Sequence, residues 1–261
     1  MGRSGTEVAR QAADVVLADD DFATLVEALV EGRGFWRNMR RALDLLLGGN
    51  LGELGLIVGT TALGFNSPLN TRQILAVNLI TDALPALSVV LQQPEHRNLA
   101  ALAREGTAAL DDSLRRDVFR RGTATTVPAL AAYLLSRSKS TPAQAGAVAF
   151  GTIVATQLAQ TLDAGWSEGN LSFPVLGAVG GSAAFLVSTL TLSPMRNLLG
   201  LAMPTAAGWS LIGGGALAAV ALSRILAAGS GWVAKSKPNE PEALATSEHP
   251  SLTLPARSLS R

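Results

Sequence analysis

Two short stretches place carboxylates among membrane-like apolar residues. Glu53 lies in GGNLGELGL and Asp82 in VNLITDALPA. A carboxylate at bilayer depth is costly unless a partner charge, an ion or a proton neutralises it. Asn50 and Glu53 are three residues apart and share one helix face; Asn78, Thr81 and Asp82, spaced i, i+3, i+4, share another. Together they offer carboxylate, amide and hydroxyl oxygens and no soft ligand. That donor set suits a hard cation such as Ca2+, or Na+, K+ or H+, and not copper. Gln157 and Gln160 repeat the i, i+3 spacing further along and add two neutral oxygen donors. Pro85, three residues after Asp82, has no backbone N–H, so it marks a helix break near the site and can free a carbonyl for an ion. Taken singly, Asn, Thr and Gln in membrane helices also serve as interhelical hydrogen-bond partners. Glu53 and Asp82 differ, because no Lys or Arg stands at mid-span to pair with them.

These residues need long apolar elements to carry them, and the composition supplies such elements. Hydrophobic residues make up 48% of the 261 and charged residues 16%, well short of the quarter or so charged in ordinary soluble domains. Six spans are predicted, at roughly 43–64, 72–91, 118–136, 143–163, 173–192 and 205–227, each able to supply the ~20 residues that cross a bilayer. The third is the least apolar, with arginines at one end and Pro128 inside. FNSPLN joins the first two spans closely enough to make them antiparallel neighbours, with their polar faces at matching depth. Before the first span, GRGFWRNMRRALDLLL predicts a basic helical stalk over 31–42 that runs on into the membrane without a break. Residues 1–30 alternate helical and strand-like spacing, with DVVLAD as a short strand between aspartates. They read as the last piece of an α/β domain. Residues 228–261 are polar and proline-bearing and predict a disordered tail.

Orientation follows from the loops. The stalk and the segment between the second and third spans are arginine-rich, whereas FNSPLN carries no cation. The positive-inside rule then puts both termini in the cytosol, with Asp44 and Asp163 hydrated near the cytosolic boundary. The net charge of +1 gives no case for nucleic acid, and the absence of cysteine excludes disulfides, thiolate metal sites and cysteine nucleophiles. The polar, acidic N-terminus has no signal-peptide pattern. Asp19, Asp20 and Asp21 read as turn and helix-cap residues.

GTEVARQAADVVLADDDFATLVEALVEGR, then NLGE, then PLNTRQILAVNLITDALPAL, resemble in that order the C-terminal part of cation-transporting P-type ATPases, in the calcium-pump-like branch. AFGTIVATQLAQTLDAG looks like the eighth of that family's ten membrane helices and NLSFPVLGAV like the entry to the ninth. The resemblance implies that residues 1–30 close a phosphorylation domain and that 43–227 are the fifth to tenth helices. It implies that Asn50, Glu53, Asn78, Thr81 and Asp82 are cation ligands, with Gln157 where some calcium pumps carry glutamate. Ala83 departs from the glycine usual after the aspartate. The family's energy source is an aspartyl phosphate in a DKTGT motif, and that motif, TGD and GDGxND are absent from these 261 residues.

The expectation is therefore an all-α polytopic membrane protein of six transmembrane helices with a short α/β remnant of a cytosolic phosphorylation domain. It would sit in the plasma membrane as the transport half of a cation pump, with Ca2+ favoured. It would carry no catalytic or nucleotide-binding residue and no cofactor of its own, Mg-ATP acting only in a complete pump. Its partners would be the lipid bilayer, the transported cation and the N-terminal half of the pump. The alternatives are a stand-alone passive cation channel or permease, and a non-transporting regulatory membrane subunit of a full-length pump.

Overall fold

The computed structural model describes residues 2–90, 112–167 and 172–236. The chain runs through α1 (Glu7–Ala12), α2 (Phe22–Ala62), α3 (Thr71–Asn78), a π-helical turn (Leu79–Ala83), α4 (Leu84–Val90), α5 (Asp112–Arg137), α6 (Pro142–Ser167), α7 (Phe173–Thr191), α8 (Ser193–Leu199) and α9 (Ala206–Ser236). Among the described residues there is no strand. The predicted DVVLAD strand is corrected here: residues 13–17 are non-helical but pair with no second strand. Their backbone bonds to the preceding chain are from the Gly2 N–H to the Leu17 carbonyl and from the Ala13 N–H to the Arg10 carbonyl. Alternation can mark a strand, but a strand forms only with a neighbour to satisfy its backbone.

α2 starts on an Asp21 side chain that accepts the Ala23 N–H at 2.9 Å, an N-cap that satisfies one orphan donor of the first turn. It then runs 41 residues without a break, about 60 Å at 1.5 Å per residue, twice the thickness of a hydrocarbon core. Gly64 ends it in the left-handed region, at φ 80°. The Gly64 N–H bonds to the Thr61 carbonyl and the Phe65 N–H to the Thr60 carbonyl, a Schellman closure that glycine enters without a Cβ penalty. After the short turn, Asn70 and Gln73 form a reciprocal capping box at the start of α3. The second span is thereby turned back along α2, and its α4 part packs against it.

Among the described residues, five helices are long and apolar enough to cross a membrane: Phe22–Ala62, Thr71–Val90, Pro142–Trp166, Phe173–Thr191 and Ala206–Gly229. This is an integral membrane architecture. α5, the third of the six predicted spans, falls short of the others in apolarity, yet it packs against α2, α6 and α9. Three of its polar residues point into the bundle, Arg121, Thr125 and Ser136, all buried. Hydropathy marks down a helix whose polar side faces other helices instead of lipid. α6 is the most enclosed element, with Val148, Phe150, Ile153 and Val154 shut off from the surface.

Close approach between α2 and α5 depends on glycine. A Cβ on Gly52 would lie 2.6 Å from Thr125 Cβ, and one on Gly48 2.7 Å from Arg121 Cβ. With hydrogen there instead, the backbones come near enough for Thr126 Oγ1 to donate to the Gly52 carbonyl at 3.2 Å. α9 stays helical to Ser236, past residue 227 where the polar tail was expected to begin. The rest of that tail, 237–261, and the arginine-rich loop at 91–111 with His96 lie outside the described residues.

Candidate cation site

The helix carrying Asp82 changes pitch at the carboxylate. Over Leu79–Ala83 the backbone is π-helical, a form that occurs mostly as single-turn bulges, often at functional sites. Pro85 explains why regular pairing fails there. In an α-helix its N–H would serve the Thr81 carbonyl and in a π-helix the Ile80 carbonyl, and proline has no N–H to give either. Ile80 is compensated from a neighbouring helix: the buried Ser182 of α7 donates its hydroxyl to the Ile80 carbonyl at 2.6 Å. Thr81 Oγ1 bonds both the Val77 carbonyl and Asp82 Oδ1, each at 3.0 Å. The hydroxyl thus holds the carboxylate to its own turn.

Across the bundle, Glu53 is buried on α2. Gln157 of α6 reaches it, with Nε2 3.3 Å from Glu53 Oε1 and 3.3 Å from the Gly49 carbonyl. Gly49 admits this contact: a Cβ there would stand 3.2 Å from three atoms of the Gln157 amide. One turn along α6, Gln160 Nε2 donates to Thr125 Oγ1 at 2.9 Å. A cavity of about 10 Å3 lies among these groups, bounded by Gly49, Thr81, Asp82, Gln157, Gln160 and neighbouring side chains. That is about the space of one water-sized centre, walled by oxygen donors in an otherwise apolar bundle.

The predicted residues divide by position. Thr81, Asp82 and Gln157 line the cavity, and Glu53 stands one contact back from it, reached through the Gln157 amide. Asn78 is half-buried one turn before Asp82 and does not line the cavity. Asn50 shares its helix side with Glu53 yet lies on the exposed part of α2, so the structure does not bring it to the others. Two further groups carry no periodic signal that would have marked them. Arg121 is 8% exposed and lines the same cavity as Asp82. Its Nε lies 2.5 Å from Asp44 Oδ2, so Asp44, half-buried on the larger cavity, has an ion-pair partner that its expected place at a hydrated boundary did not foretell. Asp163, in turn, pairs with Arg224 of α9.

The family model described as "Cation transporting ATPase, C-terminus" matches residues 66–228, more than half of the chain. The chain belongs to this family. Among curated relatives, "Probable cation-transporting ATPase I" of Mycobacterium leprae is 38% identical over 178 residues, covering 60% of this chain and 11% of that protein. "Calcium-transporting ATPase" of Bacillus subtilis is 32% identical over 223 residues, covering 81% of this chain and 25% of the relative. "Calcium-transporting ATPase" of Plasmodium falciparum is 48% identical over 96 residues, 37% of this chain and 8% of the relative. The chain thus spans a quarter or less of the length of these proteins. Together the matches show it to be a C-terminal region of a calcium-pump-like P-type ATPase.

Proposed function

We propose that this chain is the membrane transport part of a P-type cation pump and that it holds a hard cation, Ca2+ first among them, between α2 and the π turn. The observation that carries this reading is the break at Thr81–Asp82: a carboxylate and a hydroxyl on an irregular turn, facing a one-centre polar cavity inside an apolar bundle. In membrane proteins irregular backbone at depth is tolerated where it lines a cavity, and broken helices recur at ion sites. In the proposed site Glu53 and Asp82 supply charge and Thr81 and Gln157 supply neutral oxygens. Asn50 on α2 and Asn78 on α3 complete the shell only if the helices carrying them turn inward.

The finer topology belongs to the same proposal. α5, third in chain order, also crosses the membrane and brings the spans to six, because its polar face is spent on α2 and α6 and its outer face meets lipid. Both termini are cytosolic, the membrane is the plasma membrane, 31–42 is the basic stalk, and 1–30 completes a phosphorylation domain. ATP-driven turnover would require the remaining half of a pump as partner, which would bring the phosphorylated aspartate and Mg-ATP. The reading is tested by equilibrium binding of radioactive Ca2+ to the purified chain in lipid nanodiscs. Saturable binding that falls at least about tenfold in Glu53→Gln, where the change removes a full ligand charge, supports it. Binding that is indifferent to Glu53→Gln rules out the assignment. Flux into liposomes without ATP would favour the passive-channel alternative.

A further inference from the structure

The small cavity beside Asp82 is bounded on one side by Arg121, Gln160, Thr161 and Leu45. The same four residues also line a larger cavity of about 450 Å3, which lies between the middle of α2, the N-terminal part of α5, the end of α6 and α9. Arg121 therefore stands in the partition between the two. Its side chain is 10% exposed and is fixed by Asp44 at 2.5 Å, whose own side chain is 14% exposed. Asp44 Oδ1 is buried and accepts no hydrogen bond among the described residues. The guanidinium is thus held from one side by one carboxylate, while its other side borders the cavity that holds Asp82. No hydrogen bond joins Arg121 to Thr81, Asp82 or Gln157 among the described contacts, so it acts there through its charge.

We propose that Arg121 is a resident positive charge of the cation site and that, tuned by Asp44, it determines how strongly the site discriminates between ions of different charge. This rests on the cation-site reading given above and adds to it a residue that is not a ligand. The physical basis is that Coulomb energy scales with the product of the charges. A fixed guanidinium at the wall opposes a divalent ion twice as strongly as a monovalent ion at the same point. The two site carboxylates draw cations in, and Arg121 offsets part of that attraction before any ion arrives. The site then favours one cation over two. A merely packed arginine would affect ions of either charge alike, through the shape of the cavity, and that difference makes the proposal measurable.

The experiment is equilibrium binding of radioactive Ca2+ and Rb+ to the full chain in nanodiscs. Arg121→Gln is expected to tighten Rb+ by about tenfold and Ca2+ by about a hundredfold, the square of the monovalent factor. Arg121→Lys, which keeps the charge, is expected to leave both within about threefold. Asp44→Asn strips the guanidinium of its countercharge and is expected to weaken both ions, with the same two-to-one ratio of logarithmic changes. Where Arg121→Gln does not fold, the double variant Arg121→Gln/Asp44→Asn, which leaves no unpaired charge, decides: with the nearer guanidinium gone both ions are expected to tighten, Ca2+ by the larger logarithmic change, and an unchanged or weakened pair overturns the role of Arg121. Equal logarithmic changes for the two ions, or none, overturn the role of Arg121. A wild-type chain that binds neither ion, or binds Ca2+ with no loss in Asp82→Asn, removes the cation site itself and this inference with it. Binding that is lost in Asp82→Asn but keeps its ion ratio in Arg121→Gln and Asp44→Asn refutes Arg121 alone.

Discussion

Replacing Ser182 with alanine tests whether the irregular turn is held in place from outside its own helix. Ser182 and Ile80 are both almost wholly buried, 2% and 3% exposed, and the hydroxyl stands 2.6 Å from the carbonyl it serves. Pro85 denies that carbonyl its π-helical donor; a return to α-helical pairing would give Ile80 the Leu84 N–H but would move the missing donor to the Thr81 carbonyl, beside Asp82. A buried carbonyl left without a donor costs about 1–3 kcal/mol. Interhelical hydrogen bonds measured within membranes are weaker, averaging about 0.6 kcal/mol with a maximum near 1.7. A cost of about 1–1.5 kcal/mol falls inside both ranges. If it falls on the geometry that presents Thr81 and Asp82, cation affinity drops about five- to twelvefold at 1.4 kcal/mol per decade. The assay is Ca2+ binding in nanodiscs together with amide hydrogen exchange over residues 79–86. Ser182→Ala is expected to weaken binding and speed exchange in that turn while exchange in α9 stays constant. Unchanged affinity with unchanged exchange at 79–86 would refute the reasoning, since the bond would then support nothing that the site uses.

Gly52→Ala places a methyl 2.6 Å from Thr125 Cβ, and forcing α2 from α5 is expected to cost about 1–3 kcal/mol, read as a lower thermal midpoint in detergent. Gln157→Glu puts a third carboxylate beside Glu53, whose Oε1 now receives the Gln157 amide; the variant is expected to melt earlier in chelator and to regain its midpoint in Ca2+, as followed by thermal unfolding. At the N-terminus, Asp20 lies outside the membrane segments, and hydrogen bonding, from the Ser4 side chain foremost, pulls its carboxyl down to about 2 from 3.8. Because the folded value is the lower one, its contribution to local order is fully present above about pH 4 and is lost as pH falls through about 2. Amide exchange at Arg3 and Ser4, whose N–H groups bond Asp20 at 3.1 and 2.7 Å, is expected to rise over that window and to be fast throughout in Asp20→Asn.

Much of the site was legible because the sequence concentrates its polar residues. Glu53 and Asp82 stand out from apolar surroundings, helical spacing places Thr81 with Asp82, and Pro85 announces a break in any helix type. What was not legible depends on contacts between distant segments. Asp44 and Arg121 are 77 positions apart, and each alone reads as a charge near a span end, where water would be the default partner. Ser182 is one hydroxyl in the run GGSAAF, and its role exists only because α7 passes the π turn. The exposure of Asn50 beside the burial of Glu53 has the same origin. Spacing puts both on one side of α2, but the edge of the neighbouring helices decides which is covered. The DVVLAD segment shows the converse, a local pattern that has no structural consequence without a partner strand. α5 illustrates the limit of hydropathy, since a helix that spends its polar face on its neighbours is undercounted when its residues are averaged without regard to side.

The most direct measurement is where a hard cation sits. Crystals of the chain grown with Mn2+, an oxygen-seeking divalent ion with a strong anomalous signal, locate it without reference to activity. The account predicts one principal anomalous peak in the cavity bounded by Gly49, Thr81, Asp82 and Gln157, absent from crystals of Asp82→Asn. A principal peak at the exposed aspartates Asp19–Asp21, or one that persists unchanged in Asp82→Asn, would contradict it.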